Sequence, residues 1–303
     1  MRVIPPSLLT PDHPDFAILD PIRQEIAARA GGLDRLKEMY PGLVRDAIDF
    51  LLDPVRTARR EVSELDNVEK TFIGLKLEHV VRDLLDVPKG VRDLVINGVD
   101  VDIKNTIANT WTIPPETYGN SEPCLLMAAD DVRCLCWLGL IVARPEYLGS
   151  DNRDSKRSVV DAGFQHILWI VVDHSFPRSR FASLDMRRFR ELRKVKGGST
   201  RTEMFFEENL RTPIHRTVVF ALLHDQDDPM KRVRGNSGAR DKLRPKRIAL
   251  LSGRGDAALI QALGLPATSP SEFIAIKPAT PEEDKLIEAA GKWSGKGDKD
   301  EED

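Results

Sequence analysis

The chain has 303 residues, 41% of them apolar, with 45 Lys/Arg against 48 Asp/Glu and a net charge of −3. That length can bury more than one core, so two domains are expected of a globular protein of this composition. No run of about 20 apolar residues occurs, and the start (MRVIPPSLLTPDHPDF) lacks the basic-then-apolar order of a secretory leader, which excludes a membrane span and predicts a soluble, cytoplasmic protein.

The first 70 residues read mostly as helix. Apolar spacing in GGLDRLKEMYPGLVRDAIDFLLD is interrupted by Pro41 and resumes in VSELDNVEKTFIGLKLEHVVRDLL, after a basic stretch at 56–60. Strand signals begin near residue 91, where VRDLVI and VDVDIKNT flank Asn97 and Gly98, the strongest short-range signal for a two-residue hairpin turn. The runs PCLLMAAD, RCLCWLGLIVA and FQHILWIVVD complete an expected sheet of about five strands. Cys124, Cys134 and Cys136 are odd in number and form no CxxC pair, which argues against a disulfide framework and a structural zinc site and marks them as buried strand residues. Helix first and mixed strands after predict an α/β core over residues 1–172.

From 175 to 183 (SFPRSRFAS) the chain becomes turn-rich, the best linker candidate, and a second domain is expected over 180–303. It opens with a basic helix (LDMRRFRELRKVK), crosses Gly197 and Gly198, and gives another helix in PIHRTVVFALLHD. The segment DDPMKRVRGNSGARDKLRP follows, then a strand (RIALLS), a helix (DAALIQALGL) and a final strand (EFIAIKP). This order is compatible with a winged helix-turn-helix and with other small α/β modules. Residues 187–247 hold 17 Lys/Arg and 8 Asp/Glu, a net +9, while the rest of the chain carries −12. Such a segment is the electrostatic footprint of a surface that neutralises phosphates, a solvated helical face being the competing reading. The tail after Ala279, ending GKGDKDEED, is charged and Gly-rich and is expected to be disordered.

The chemistry concentrates at the hairpin. With a two-residue turn at Asn97-Gly98, Ile96 lies opposite Val99, and stepping back along the ladder brings Asp93 opposite Asp102. Opposed carboxylates repel unless a cation sits between them, and a divalent metal would remove that penalty. Because side chains alternate, Lys104 shares the face of Asp102 while Val101 and Ile103 point to the core. Phosphodiester hydrolysis needs a water made nucleophilic and a developing negative charge neutralised, work that a carboxylate-held Mg²⁺ performs. Lys104 would orient or deprotonate that water, or stabilise the transition state. Glu78, on the preceding helix, is a further ligand or a group that polarises the site. The competing reading is an ordinary Asp102–Lys104 pair on an exposed strand face. Asp100 is an alternative acid, ranked second because it lies opposite Val95.

This D…DxK arrangement resembles the PD-(D/E)xK nuclease pattern, and a wider resemblance, to the NaeI family of type II (IIE) restriction endonucleases, runs from about residue 45 to 278. It rests on Glu69-Lys70-Thr71 with Gly74 and Glu78, then GVDVDIK, PPETYG, YLGSDNRDSKR, DDPMKRVRGNSGARDKLRP and LGLP, in that order. The resemblance implies a restriction-endonuclease-like mixed-sheet core with a C-terminal winged helix-turn-helix similar to catabolite activator proteins. It implies that Glu78, Asp93, Asp102 and Lys104 are the catalytic and metal-site residues, with Mg²⁺ as cofactor. It further implies a homodimer that binds double-stranded DNA twice, as target and as an allosteric effector copy of the site, GCCGGC being the associated sequence. Ile103 stands where the family pattern has a cysteine, and NTIANTWTIPP diverges, which puts that target in question.

In the second domain Lys231, Arg232, Arg234, Arg240, Lys242 and Arg244 can serve phosphates and guanine edges, and Gly235 and Gly238 permit close backbone approach. In the first, Asn152, Arg153, Asp154, Lys156 and Arg157 follow the sheet in a loop-like context, and Arg153 or Arg157 can clamp guanine through two hydrogen bonds, a structural ion-pair loop being the alternative. Three rival functions remain: a MutH-type nicking nuclease of DNA repair, a non-catalytic DNA-binding regulator, and a topoisomerase-like enzyme, which would need a nucleophilic tyrosine among Tyr40, Tyr118 and Tyr147.

Overall fold

The computed structural model describes residues 4–234 and 237–294. The chain divides into two compact units, one of residues up to 52 with 61–179, the other of 53–60 with the residues from 180 onward. In chain order the elements are α1 (Pro14–Arg29), α2 (Leu33–Leu52), α3 (Pro54–Thr57), α4 (Asn67–Leu85), β1 (Leu94–Ile96), β2 (Val99–Thr106), β3 (Thr112–Ile113), α5 (Pro115–Tyr118), β4 (Pro123–Asp130), β5 (Leu135–Val142), β6 (Leu148–Asp151), β7 (Arg157–Val159), α6 (Asp161–Phe164) and β8 (Leu168–Ser175). There follow α7 (Met186–Leu192), α8 (Gly198–Glu208), β9 (Ile214–His215), α9 (Arg216–Leu222), α10 (Ala239–Leu243), β10 (Ala249–Ser252), α11 (Ala257–Ala262), β11 (Glu272–Ile276) and α12 (Pro281–Ala289).

The first unit is built on a five-stranded mixed sheet in the order β1-β2-β4-β5-β8, with β2 and β4 parallel and the other pairs antiparallel. Alternation along the strands gives it two apolar faces. Ile103, Leu125, Met127 and Leu138 pack with the residues of α1, α2 and α4, whereas Cys124, Leu126 and Trp137 pack with Trp111 and Phe164 on the other side. Helix α4 shows why this works locally. Ile73, Leu77, Val81 and Leu85 recur every four residues and are all buried, so truncating one, such as Leu77→Ala, costs about 2–5 kcal/mol. Its start is fixed by a reciprocal cap in which Asp66 accepts from the Glu69 N–H at 2.8 Å and Glu69 accepts from the Asp66 N–H at 2.9 Å.

Several expectations need correction. Pro41 does not interrupt α2, which runs unbroken to Leu52. Proline denies the Lys37 carbonyl its helical donor, but His174 Nδ1 of β8 stands 3.4 Å from that oxygen, and the neighbouring Tyr40 hydroxyl donates to Trp137 O at 3.0 Å. The basic stretch at 56–60 belongs to the second unit, where Arg190 and Arg193 donate to the carbonyls of Ala58, Val55 and Arg56. A second sheet, β3-β7-β6, was not expected. Its strands of two to four residues are too short for alternation to be legible. Cys124 and Cys136 are buried on strands, whereas Cys134 is buried in the turn before β5.

The second unit packs helices against a three-stranded antiparallel sheet ordered β10-β11-β9. Phe181, Phe189, Phe205, Phe206 and Phe273 meet edge to face through its core. Helix α8 escaped the apolar pattern because its buried face includes Arg201 and Thr202. Arg201 is satisfied inside by the Leu222 carbonyl at 2.8 Å, the Val195 carbonyl and Asp225. The tail after Ala279 is not disordered as far as Ser294: α12 buries Ile287, and Lys292 forms a buried pair with Asp256 at 2.6 Å. Thr280 caps that helix with Pro281 at its first position, a start signal that the charged composition masked. Residues 295–303 lie outside the described residues. Among the described residues no helix is long and apolar enough to cross a membrane.

Candidate active site

The turn that sets the site is at Asn97 and Gly98, whose φ angles of 51° and 77° are those of a hairpin matched to strand twist. It fixes the register Ile96↔Val99, Val95↔Asp100, Leu94↔Val101. The next step would pair Asp93 with Asp102, but β1 stops at Leu94 and Asp93 lies just beyond the ladder. Its carboxylate instead accepts from the Ile103 N–H at 2.7 Å. From Asp102 onward β2 is paired only with β4, so its other edge opens here.

Asp102 is not on an exposed face. It is 4% exposed, with Oδ1 accepting from Lys104 Nζ at 2.6 Å and Oδ2 from the Thr117 hydroxyl at 2.6 Å. Thr117 is fully buried on the short helix α5 and was missed by sequence reasoning. The signal available was its place in PPETYG, one of the stretches that carry the family resemblance. Burial above all, then the neighbouring Asp102 and Glu78, push the Asp93 carboxyl up to about 6, against the opposing pull of the Ile103 N–H. Glu78 is half-buried on α4 and has Arg82 at 3.8 Å. Behind Asp102, on β4, the Cys124 thiol is pushed well up by burial and then by the Asp102 charge, which leaves it an unreactive wall.

Asp100 has a different role. It lies opposite Val95 and accepts from the Arg92 N–H at 3.2 Å, and a side chain at Gly90 would collide with it at 1.9 Å. Arg92 in turn clamps Glu122 at 2.6 Å and the Glu116 carbonyl at 2.6 Å, tying the approach to β1 to the helix that carries Thr117.

Among the described residues no three acidic, histidine or cysteine side chains converge into a closed cage for a metal ion. The donors brought together are two carboxylates at an open strand edge, one carrying a raised pKa, with Glu78 near enough to influence it. Such a set of hard oxygens suits a cation that keeps most of its waters and takes one or two carboxylates.

The remaining candidates are scattered. Asn152 to Lys156 form the tip of the β6–β7 hairpin, with Asn152 Oδ1 accepting from the N–H groups of Asp154 and Lys156, and Arg153 and Lys156 exposed. Arg157 is on a strand, not in a loop, paired with Asp151 at 2.6 Å and stacked over Tyr118. In the second unit Lys231 is exposed and Arg232 donates to Gln226 at 3.0 Å. Arg240 proves not to be a surface residue: it is 6% exposed and donates to the Leu250 carbonyl at 3.2 Å, so its charge serves the core. Arg244 is held by Asp241 and the Lys292 carbonyl, and Lys242 donates to Thr200 at 2.6 Å. Gly235 lies outside the described residues.

Two comparisons with known proteins cover this geometry. Residues 25–287 match the family described as restriction endonuclease NaeI, a span that holds every candidate named above. The type II restriction enzyme NaeI of Lentzea aerocolonigenes is 31% identical over 272 residues, which cover 86% of this chain and 85% of that protein. A match running the length of both units is beyond what a shared local motif produces, and the chain belongs to the NaeI family of restriction endonucleases.

Proposed function

We propose that this restriction endonuclease hydrolyses both strands of duplex DNA at a specific sequence, using Asp93, Asp102, Lys104 and Glu78 with Mg²⁺. The observation that carries the reading is the pair of crowded carboxylates at the open edge of β2, with the Lys104 ammonium 2.6 Å from Asp102. Asp93 and Asp102 would hold the cation, with Glu78 as a further ligand or polarising neighbour. A bound Mg²⁺ supplies a more acidic water and neutralises charge developing on the phosphorus oxygens. Thr117 and the Ile103 N–H fix the two carboxylates before substrate arrives, so little reorganisation is left for the reaction. Lys104, beside Asp102, orients the attacking water or stabilises the transition state.

The second unit is read as a winged helix-turn-helix that binds an effector copy of the site. Support comes from the order α8, β9, α9, α10, β10, β11 with β11 between β9 and β10, and from Lys231, Arg232 and Arg234 beside it in sequence. Arg153 and Lys156 at the β6–β7 tip are proposed for the target duplex. A homodimer would match a palindromic site by symmetry.

Plasmids bearing no, one or two GCCGGC sites, incubated with the protein in Mg²⁺ or EDTA, test the whole reading. Mg²⁺-dependent linear fragments, formed faster with two copies, are expected. Cutting elsewhere discards the target; nicks alone favour the repair-nuclease reading; binding without cleavage refutes the catalytic one. Loss of the two-copy advantage in Arg232→Ala/Arg234→Ala is expected, and its survival removes the effector role of that segment.

A further inference from the structure

Part of the positive charge of the second unit is neutralised within the fold. Arg188 pairs with Glu191 and Glu208, Arg201 with Asp225, Arg211 with Glu283, Arg247 with Asp284, and Lys246 with Glu203 and Glu207. Arg216 and Arg234 are among the basic residues that have no carboxylate within ion-pairing distance among the described residues. Together with Arg254 they line one cavity of about 80 Å³ at the end of the β10-β11-β9 sheet, its walls completed by Ser252, Ser271 and the apolar Phe273.

Guanidinium groups donate and cannot accept, so a space that arginines line favours an occupant rich in acceptors, an anion above all. Their forks match the paired oxygens of a tetrahedral oxyanion, and the apolar wall strengthens the attraction by lowering the local dielectric. Next to Arg216, His215 is held below its ordinary range by burial and then by the charge of Arg180, with Glu272 opposing and Arg216 adding to the lowering.

We propose that the Arg216–Arg234–Arg254 cavity binds an oxyanion of the phosphate class, whether a DNA backbone phosphodiester or free phosphate. The first source rests on reading the second unit as a DNA-binding module, and the second does not. The full-length protein and its Arg216→Ala/Arg254→Ala variant are compared in two measurements, with Arg216→Lys/Arg254→Lys, which keeps the charge but loses the forks, standing in if the alanine variant fails to fold. Binding of a short duplex in EDTA is followed by fluorescence anisotropy between 50 and 200 mM salt. Each lost phosphate contact lowers the slope of log K against log salt by about 0.9, which is the decrease expected. Melting is then followed with and without inorganic phosphate. A lower slope assigns the site to backbone phosphate. An unchanged slope, with phosphate stabilising only the wild type, assigns it to free phosphate. An unchanged slope with no difference in phosphate protection overturns the proposal. Wild-type protein that binds no duplex defeats the DNA reading of the unit and leaves the melting arm to decide the cavity.

Discussion

Replacing Asp93 with asparagine should make the protein more stable and inactive at once. The Asp93 carboxyl titrates at about 6 rather than 3.8, so the folded state holds its proton more tightly than the unfolded chain does. Below about pH 3 both states are protonated and the group contributes nothing. As pH rises through 3.8 toward 6 the unfolded chain releases its proton first, stability falls, and well above 6 the penalty is complete. Two pH units correspond to at most about 3 kcal/mol, and because the side chain is only half-buried, screening by solvent leaves about 1–1.5 kcal/mol. Asparagine keeps an oxygen to accept from the Ile103 N–H and removes the charge. Urea unfolding should therefore show Asp93→Asn more stable than wild type at pH 8 by about that amount, and equal to it at about pH 3. Mg²⁺ should raise the melting temperature of the wild type and leave that of the variant unchanged. A variant that is less stable at pH 8, or equally offset at both pH values, would refute the idea that crowded charge is stored at this site.

Thr117→Val removes the donor to Asp102 Oδ2 without changing side-chain shape, and loss of a charge-assisted bond worth about 1.5–3 kcal/mol should slow cleavage by roughly 10- to 100-fold; single-turnover rates at saturating DNA read this directly, and Thr117→Ser should restore them. Lys104→Ala is expected to abolish cleavage while specific binding, measured by gel shift, survives; normal cutting removes Lys104 from the mechanism. Arg201→Met strands the carbonyls of Val195 and Leu222 and should destabilise the second unit by about 2–4 kcal/mol, measured by urea unfolding. Arg201 holds the Asp225 carboxyl down at about 2, so the stability it gives is present above pH 4 and lost as pH falls toward 2; in Asp225→Asn that part of the acid dependence should flatten.

The sequence by itself determined the five-strand sheet, the hairpin and its register, because Asn97-Gly98 permits one tight turn and alternation leaves the strands one way to face the core. It placed Asp102 and Lys104 on a common face for the same reason. The family assignment was likewise legible, since the stretches that carry it are linear. Tertiary structure alone decided what is non-local. Thr117 lies fifteen residues from Asp102 and reaches it only because α5 folds back over β2. His174 stands at the carbonyl that Pro41 leaves without a donor, so a helix persists where local chemistry would break it. Arg240 turns inward to a β10 carbonyl, and Arg216 and Arg254, far apart in sequence, come to one cavity. Local backbone preference and side-chain alternation act within a few residues and can be read along the chain, whereas the partner of a buried charge is fixed by packing between distant segments.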